Sequence, residues 1–284
     1  MKENIPNSYP VVVTGASTGI GFTTCIDLAS RGIPVYAGVR KQNDFDKWSG
    51  VEGVHPLMLD VCDAAQISAA AEQVALEHPE GIRGLVNNAG IAVAAPLAVI
   101  PIDAFEQQMD VNVTGLLRVT QAFMPLMRPG SRLINVSSMA GKVSFPGAGA
   151  YHASKHAVEA ISDTLRLELK SSGIKVSIIE PGRIATPIWQ SSRNTAEGLL
   201  RRIPPEQFAP YKKLMDAVAK SVSGAERNGA SPMLCANAIY AALTASRPRT
   251  RYAVGRDAKL LMFFRRFLLS DKMWDKLVLN DLKY

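Results

Sequence analysis

A tyrosine and a lysine four residues apart, Tyr151 and Lys155, are the residues of this chain best suited to proton transfer. On a helix this spacing places both side chains on one face, one turn from each other. A phenol has an ordinary pKa of about 10, and a neighbouring ammonium lowers that pKa toward neutrality. Ser138, upstream, offers a hydroxyl that could hold a substrate oxygen while the phenol exchanges a proton with it. Because many helices contain Tyr and Lys at this spacing, the pair alone does not establish a site.

A glycine-rich turn near the N-terminus has the features of a pyrophosphate-binding site. The β-branched run at residues 10–13 predicts a buried strand, and a helical pattern follows the turn Gly15-Ala16-Ser17-Thr18-Gly19-Ile20-Gly21. Glycines let the backbone approach phosphates, and the free N–H groups of the helix favour their charge. The spacing is G-x-x-x-G-x-G, not the usual G-x-G-x-x-G of dinucleotide sites. The context of strand, turn and helix nevertheless predicts dinucleotide binding.

The second predicted strand, residues 35–41, ends in Arg40 and Lys41. In NAD-binding sites an acidic residue near this point binds the ribose 2′-hydroxyl. Here no carboxylate occurs until Asp44. Two cations suit a 2′-phosphate, so the sequence predicts NADP(H) in preference to NAD(H). The alternative is that both side chains merely solvate a loop.

Strand and helix patterns alternate along the chain. This alternation predicts an α/β fold, a Rossmann-type doubly wound parallel sheet with helices on both faces, as a single domain over residues 1–284. Asp60, Asn88, Ser138 and Pro181-Gly182 fall at the carboxyl ends of predicted strands, where open α/β sheets bind ligands. One crevice could therefore contain these residues together with the glycine turn.

Two later segments depart from the alternation. Residues 186–230 are interrupted by prolines, and we interpret them as an insertion that forms a substrate lid. Residues 256–284 form a C-terminal extension that is apolar and basic together. Three interpretations of the extension stay open: an amphipathic helix at a membrane surface, a cover over the substrate pocket, or an oligomer contact.

Charge and cysteine content limit the classes of function. The net charge is +7, and residues 201–284 hold 16 Lys and Arg against 7 Asp and Glu. An anionic surface, an acidic ligand or simply a solvated face would account for this charge. No nucleic-acid-binding motif accompanies it, so we expect no nucleic-acid partner.

Cys25, Cys62 and Cys235 are far apart and outside metal-ligand spacing, so we expect free thiols and no metal. The first seven residues contain no apolar stretch, and we expect no secretory signal. The expected location is the cytoplasm, peripheral on a membrane surface if the extension binds one.

Taken together, the motifs resemble those of the short-chain dehydrogenase/reductase family. The matching motifs are Thr14-Gly15-x-x-x-Gly19-x-Gly21, Asp60, Asn87-Asn88-Ala89-Gly90, Asn112, Ser138, Tyr151-x-x-x-Lys155 and Pro181-Gly182. They cover roughly residues 9–190 in the order and spacing of the family. The resemblance implies an NADP(H)-dependent oxidoreductase that transfers a hydride between nicotinamide and a carbonyl or alcohol. It also implies a homodimer or homotetramer.

The resemblance assigns catalytic roles to four residues. Tyr151 would be the general acid or base, and Lys155 would bind the nicotinamide ribose and lower the pKa of the phenol. Ser138 would orient the substrate oxygen, and Asn112 would hold a water in the proton relay. The expected cofactor contacts are Gly15, Ser17, Thr18, Gly19, Ile20, Gly21, Arg40, Lys41, Asp60, Val61, Asn88, Ala89, Gly90, Tyr151, Lys155, Pro181, Gly182, Ile184 and Thr186.

The strand at residues 35–40 and the C-terminal extension are also similar to the steroid and retinol dehydrogenase branch. The residues expected to line the substrate pocket are apolar, namely Val143, Phe145, Pro146, Ile188 and Trp189. We therefore expect a small hydrophobic secondary alcohol or ketone, similar to a steroid or retinoid. The alternatives are a smaller ketone, a ketoacyl thioester or a polyol with the same chemistry, or a non-catalytic cofactor-binding or lipid-surface protein.

Overall fold

The structure, a computed structural model, describes residues 8–267 and 270–282, without the side chains of residues 221–227, 265–267 and 281. The segment on which the expected lack of a secretory signal rests, residues 1–7, lies outside the described residues, as do residues 268–269 and 283–284 of the extension. Within the described residues the strands are β1 Val11–Thr14, β2 Val35–Val39, β3 Val54–Met58, β4 Ile82–Asn87, β5 Met127–Val136, β6 Lys175–Pro181 and β7 Arg251–Val254.

These strands form one parallel sheet in the order β3-β2-β1-β4-β5-β6-β7. The direction of winding reverses between the neighbouring strands β1 and β4. A crevice for ligands is expected outside their carboxyl ends, at this switch point. The predicted doubly wound parallel sheet is confirmed.

Helices cover both faces of the sheet. The described helices are α1 Gly19–Ser30, α2 Gln42–Asp46, α3 Ala64–Glu77, α4 Ile102–Met109, α5 Gly115–Phe123, α6 Gly149–Glu168, α7 Ile188–Leu200, α8 Pro205–Phe208, α9 Lys212–Asn228, α10 Met233–Thr244, α11 Arg256–Phe267 and α12 Asp271–Leu282. Val11 and Val13 point into the core under α1 and α10, whereas Val12 points into the core under α3 and α5. Burial on both faces explains why β1 is a run of valines and not an alternating pattern.

The two ends of the segment predicted to be an inserted lid meet. The backbone N–H of Ala230 donates to the Arg183 carbonyl, and the N–H of Ala185 donates to the Ala230 carbonyl, both at 2.9 Å. Between these ends, Leu199 of α7 packs in one buried cluster with Val93 and Ala150. Since Ala150 directly precedes Tyr151, the insertion lies beside the expected catalytic helix. Its movement as a lid stays a prediction.

The C-terminal extension packs against its own domain. Trp274 and Val278 of α12 are buried against Val143, and the Trp274 indole N–H donates to the Ser144 carbonyl at 3.2 Å. The Phe145 ring lies 5.5 Å from the Trp274 ring. The extension therefore covers the loop at residues 143–147, which follows Ser138. Its binding to a membrane surface and its use as an oligomer contact stay predictions.

Among the described residues, no helix combines the length and the hydropathy that a transmembrane span requires.

We predict that Trp274→Ala detaches α12 from the loop at residues 143–147. Removing a buried tryptophan costs about 3–5 kcal/mol in a core, and at least about 1.4 kcal/mol here would accelerate amide exchange tenfold or more. Hydrogen–deuterium exchange should show this acceleration in both residues 143–147 and residues 271–282. The matched control is Met273→Ala, because Met273 is 52% exposed. Unchanged exchange at residues 143–147 in Trp274→Ala would contradict the packing described here.

Candidate active site

Ser138 and Tyr151 meet at the carboxyl end of β5. Ser138 follows β5 and begins a 3₁₀ turn over Met139–Gly141, where its Oγ accepts a hydrogen bond from the Ala140 N–H at 3.1 Å. The same hydroxyl donates to the Pro181 carbonyl at 3.4 Å. Tyr151 lies in the first turn of α6 and forms a side-chain hydrogen bond with Ser138. The structure therefore brings the expected hydroxyl and phenol into contact.

Lys155 extends beneath Tyr151 toward the sheet. Its side chain is buried, and its Nζ donates to the Val136 carbonyl at 2.9 Å. The same Nζ lies 5.7 Å from the centre of the Tyr151 ring. Because Val136 is the last residue of β5, the strand end holds the ammonium group in place.

Burial controls the proton affinities of both groups. It lowers the pKa of Lys155 from its ordinary value of 10.5 to about 8, although the charge of Glu159 opposes this change. Burial also raises the pKa of the Tyr151 phenol, which the hydrogen bond with Ser138 only partly offsets. In this structure the Nζ is directed at a backbone carbonyl, and burial disfavours the phenolate. The lowering of the pKa of the phenol by Lys155 stays a prediction.

Asn112 lies in a single π turn, Asp110–Thr114, between α4 and α5. Its Oδ1 accepts from the Ile91 N–H at 2.9 Å, and its Nδ2 donates to the Ile91 carbonyl and the Ser154 Oγ, both at 3.0 Å. The side chain thus links the loop after β4 to α6, one residue before Lys155. A water-holding role for Asn112 stays a prediction.

The glycine turn closes against the loop after β4. Gly15 has a φ of +66°, and a Cβ at this residue would lie 2.7 Å from the Ala89 Cα. The Asn88 amide donates to the carbonyls of Thr14 and Gly15 at 3.0 and 3.1 Å. The Thr14 hydroxyl accepts from the N–H groups of Asn88 and Ala89, both at 3.0 Å. Asn88 therefore lies at the predicted strand end and also stabilises the glycine turn.

The two sides of the crevice approach each other at Gly19 and Gly90. A Cβ at Gly19 would lie 3.2 Å from the side chain of Thr186. A Cβ at Gly90 would lie 3.2 Å from the Asn112 Oδ1 and 3.8 Å from the Lys155 Nζ. The glycine turn, the start of the insertion and the catalytic group, by which we mean Ser138, Tyr151 and Lys155, therefore border one space.

The remaining expected cofactor residues surround this space or its rim. Arg40 and Lys41 are exposed just beyond β2, and Asp60 is half-buried just beyond β3, where its Oδ1 accepts from the Cys62 N–H at 3.0 Å. Val61 and Ile184 are buried. The positions of Ser17, Thr18, Ile20, Pro181 and Gly182 follow from the glycine turn and the carboxyl end of β6. The sequence-predicted residues thus lie along one edge of the sheet.

Sequence reasoning missed a group of charged residues beneath the site. Glu159 and Glu180 are almost completely buried and face Lys142 and Arg251. The spacing of four residues between Lys155 and Glu159 could have indicated that Glu159 lies near the site. Its partners Lys142 and Arg251 could not be found in this way, because they are distant in sequence. Sequence reasoning also misplaced Val143, which is buried against α12 and does not line an open pocket.

A cavity of about 720 Å³ adjoins the site on the outer side of α6. The side chains that line it are mostly apolar and come from the loop after Ser138, α6, α9 and α12, and they include Phe145, Pro146, His152, Leu214, Trp274 and Val278. Ser138 and Tyr151 do not line this cavity.

Comparisons with known proteins agree with this geometry. A family model described as "short chain dehydrogenase" matches residues 10–197. The chain is 34% identical to an NADPH-dependent 3-dehydrocapnine reductase of Ornithobacterium rhinotracheale, covering 96% of each chain. It is 36% identical to human retinol dehydrogenase 16, covering 88% of this chain and 82% of that protein.

Solved structures share the fold. A short-chain dehydrogenase of Burkholderia cenocepacia in complex with NADP has a TM-score of 0.73 at 25% identity, covering 96% of this chain and 98% of that one. A short-chain dehydrogenase/reductase of Burkholderia phymatum in complex with NAD has a TM-score of 0.77 at 23% identity, covering 91% and 93%.

The burial of Lys155 predicts a pH dependence of stability. Because its folded pKa of about 8 lies below its ordinary 10.5, the folded protein binds fewer protons than the unfolded chain between these values, and the free energy of unfolding rises with pH there. Between about pH 8 and pH 9.5 this group should contribute a rise of at most about 2 kcal/mol. Urea denaturation should show that Lys155→Met removes the rise. Lys170→Met, at an exposed lysine just beyond α6, is the matched control and should retain it.

Proposed function

This chain belongs to the short-chain dehydrogenase/reductase family of oxidoreductases, and from this premise we propose that it is an NADP(H)-dependent enzyme acting on a hydrophobic secondary alcohol or ketone. The observation that carries the proposal is the contact of Ser138 with Tyr151, above the buried Lys155, next to a glycine turn at the switch point of the sheet. A site for proton exchange and a site for a dinucleotide thus share one crevice.

The residues present fit a dinucleotide. The glycine turn leads directly into α1, whose N-terminal N–H groups favour the charge of a pyrophosphate. The contact between Gly15 and the Ala89 backbone leaves no room for a side chain there. Gly15, Ser17, Thr18, Gly19, Ile20 and Gly21 would hold the pyrophosphate, with Asp60, Val61, Asn88, Ala89 and Gly90 toward the adenosine, and with Lys155, Pro181, Gly182, Ile184 and Thr186 toward the nicotinamide.

Arg40 supports the preference for NADP(H). The Gly38 carbonyl accepts a hydrogen bond from the Ala16 N–H at 2.9 Å, so the end of β2 lies against the glycine turn. Arg40 follows two residues later with an exposed side chain that makes no hydrogen bond or ion pair within the described part of the chain. The nearby Asp44 is already paired with Lys47 at 2.6 Å. A free guanidinium beside the turn suits a 2′-phosphate.

The chain's residues divide the proton chemistry between them. The nicotinamide, when bound, supplies or accepts the hydride. The Ser138 hydroxyl would hold the substrate oxygen. The Tyr151 phenol would donate a proton to that oxygen in reduction, and its phenolate would remove one in oxidation. Because burial disfavours a lone phenolate, the positive charge of Lys155 stabilises the phenolate that forms during turnover. The π turn at Asn112 keeps α6 fixed against the loop after β4.

The surroundings of the site support a lipophilic substrate. The adjoining cavity is lined mainly by apolar side chains from several elements, including Trp274 of the C-terminal extension. Similar proteins include a retinol dehydrogenase and a reductase of 3-dehydrocapnine. A steroid- or retinoid-like alcohol or ketone is therefore the proposed substrate class.

We predict that Arg40→Ala erases a preference for NADPH over NADH. Loss of a close ionic contact to a 2′-phosphate should weaken NADPH binding by about one to two decades and leave NADH binding unchanged. Fluorescence titration of each cofactor measures both affinities. The matched control is Lys47→Ala, which removes another exposed cation, already paired with Asp44. Tighter binding of NADH by the wild type would contradict the NADP(H) proposal.

We predict that Tyr151→Phe abolishes turnover but retains NADPH binding. Loss of a positioned general acid or base should lower kcat by about 10²–10⁴-fold. Stopped-flow oxidation of NADPH with steroid and retinoid carbonyls measures the rate, and fluorescence titration measures cofactor affinity. Tyr240→Phe serves as the matched control, because it makes the same change on α10, where the ring lies against the Arg31 guanidinium. Full activity in Tyr151→Phe would exclude the proposed chemistry.

A further inference from the structure

Beneath the catalytic group, two nearly buried carboxylates face two cations. The Lys142 Nζ lies 2.6 Å from the Glu159 Oε2 and 3.8 Å from the Glu180 Oε1. The Arg251 guanidinium lies 3.1 Å from the Glu159 Oε2 and 3.3 Å from the Glu180 Oε1. The carboxyl side chains are 6% and 1% exposed, whereas the cations are about one-third exposed. We name these four residues the acidic-pair cluster.

Three of the four members of the cluster belong to segments that also carry a site residue. Lys142 follows the 3₁₀ turn begun by Ser138, and Glu159 is one turn after Lys155 on α6. Glu180 directly precedes Pro181 at the end of β6, and Arg251 begins β7, the neighbouring strand. The cluster therefore joins the three segments that form the catalytic group.

These segments pack closely at Gly141. A Cβ at Gly141 would lie 2.8 Å from the Ser137 Oγ, 2.9 Å from the Glu159 Cγ and 2.9 Å from the Lys155 carbonyl oxygen. The turn that carries Ser138 thus rests directly on the helical turn from Lys155 to Glu159. A displacement of Glu159 would therefore affect both the turn that carries Ser138 and the helical turn that carries Lys155.

Glu159 also interacts electrostatically with Lys155 and Glu180. Glu159 is the charged neighbour that favours the ammonium form of Lys155, against the effect of burial. Burial and the charge of Glu159 raise the pKa of Glu180 to about 7. The groups that face the pair are Lys142, Arg251 and Lys155, with Asp163 on the outer side of Arg251 at 2.7 Å.

We propose that Glu159, held by Lys142 and Arg251, is a positioning residue that keeps Lys155 and Ser138 in place for proton exchange at Tyr151. This inference rests on the proposed oxidoreductase function. It concerns residues outside the motifs that identify the family. The buried carboxylates do not contact the substrate space, and they act through Lys155.

The decisive variant is Glu159→Gln, which removes the charge and keeps the shape. Without this charge Lys155 should lose its proton at a lower pH, so the alkaline limb of the pH–rate profile should move down by about 0.5–1 pH unit. The measurement is kcat for NADPH-dependent carbonyl reduction as a function of pH. NADPH affinity at neutral pH should remain within about twofold of the wild type.

The matched control is Asp163→Asn. Asp163 lies one turn further along α6 and also binds Arg251, but it is 41% exposed and remote from Lys155. Its alkaline limb should coincide with that of the wild type. An unmoved limb in Glu159→Gln, or an equal shift in Asp163→Asn, overturns the proposal.

A second measurement separates this proposal from the proposed function. The pH dependence of the free energy of unfolding reports the proton affinity of Lys155 without any substrate. In Glu159→Gln the rise caused by Lys155 should begin at a lower pH than in the wild type, and an unchanged rise overturns the proposal. If the wild type oxidises no NADPH with any carbonyl, the proposed function fails, and the unfolding measurement alone then decides the role of Glu159.

Discussion

A buried ammonium group is the constraint on which the rest of this site depends. Removing an ion from water costs several kcal/mol unless other groups compensate it. Lys155 is compensated by the Val136 carbonyl at 2.9 Å and by the charge of Glu159. Both interactions require that α6 crosses the carboxyl end of β5. They also require a glycine at residue 141, because a side chain there would collide with Glu159 and Lys155 of α6. The packing of β5, α6 and the turn at Gly141 therefore determines both the fold here and the position of Lys155.

Sequence reasoning succeeded where a local pattern is sufficient. Valine runs such as β1 predict buried parallel strands, and the carboxyl ends of parallel strands necessarily share an edge, so Ser138 and Asn88 could be placed in one crevice. It failed where topology creates contacts that no local pattern encodes. Glu159 meets Arg251 only because β7 pairs with β6, across 92 residues of chain. The π turn at Asn112 likewise depends on tertiary hydrogen bonds, which override helical propensity.

The two ends of the crevice are built differently. The glycine turn is fixed by hydrogen bonds that join the side chains of Thr14 and Asn88 to neighbouring backbone groups at the sheet edge. The opposite end is bordered by added segments, the insertion and the C-terminal extension, which pack through apolar side chains such as Leu199 and Trp274. Hydrogen-bonded backbone suits a ligand of constant shape. Apolar packing between separate segments can be changed by substitution while the sheet stays intact.

Because α12 packs on the loop after Ser138, the ordering of α12 and the ordering of the crevice are thermodynamically coupled. Trp274 packs on residues 143–147, and the 3₁₀ turn that Ser138 begins ends just before them. Linkage is reciprocal, so whatever orders one of these ends must lower the entropy cost of ordering the other. Occupancy of the crevice would therefore tighten the terminus onto the domain. An agent that captured the terminus would change the affinity of the crevice by the same factor.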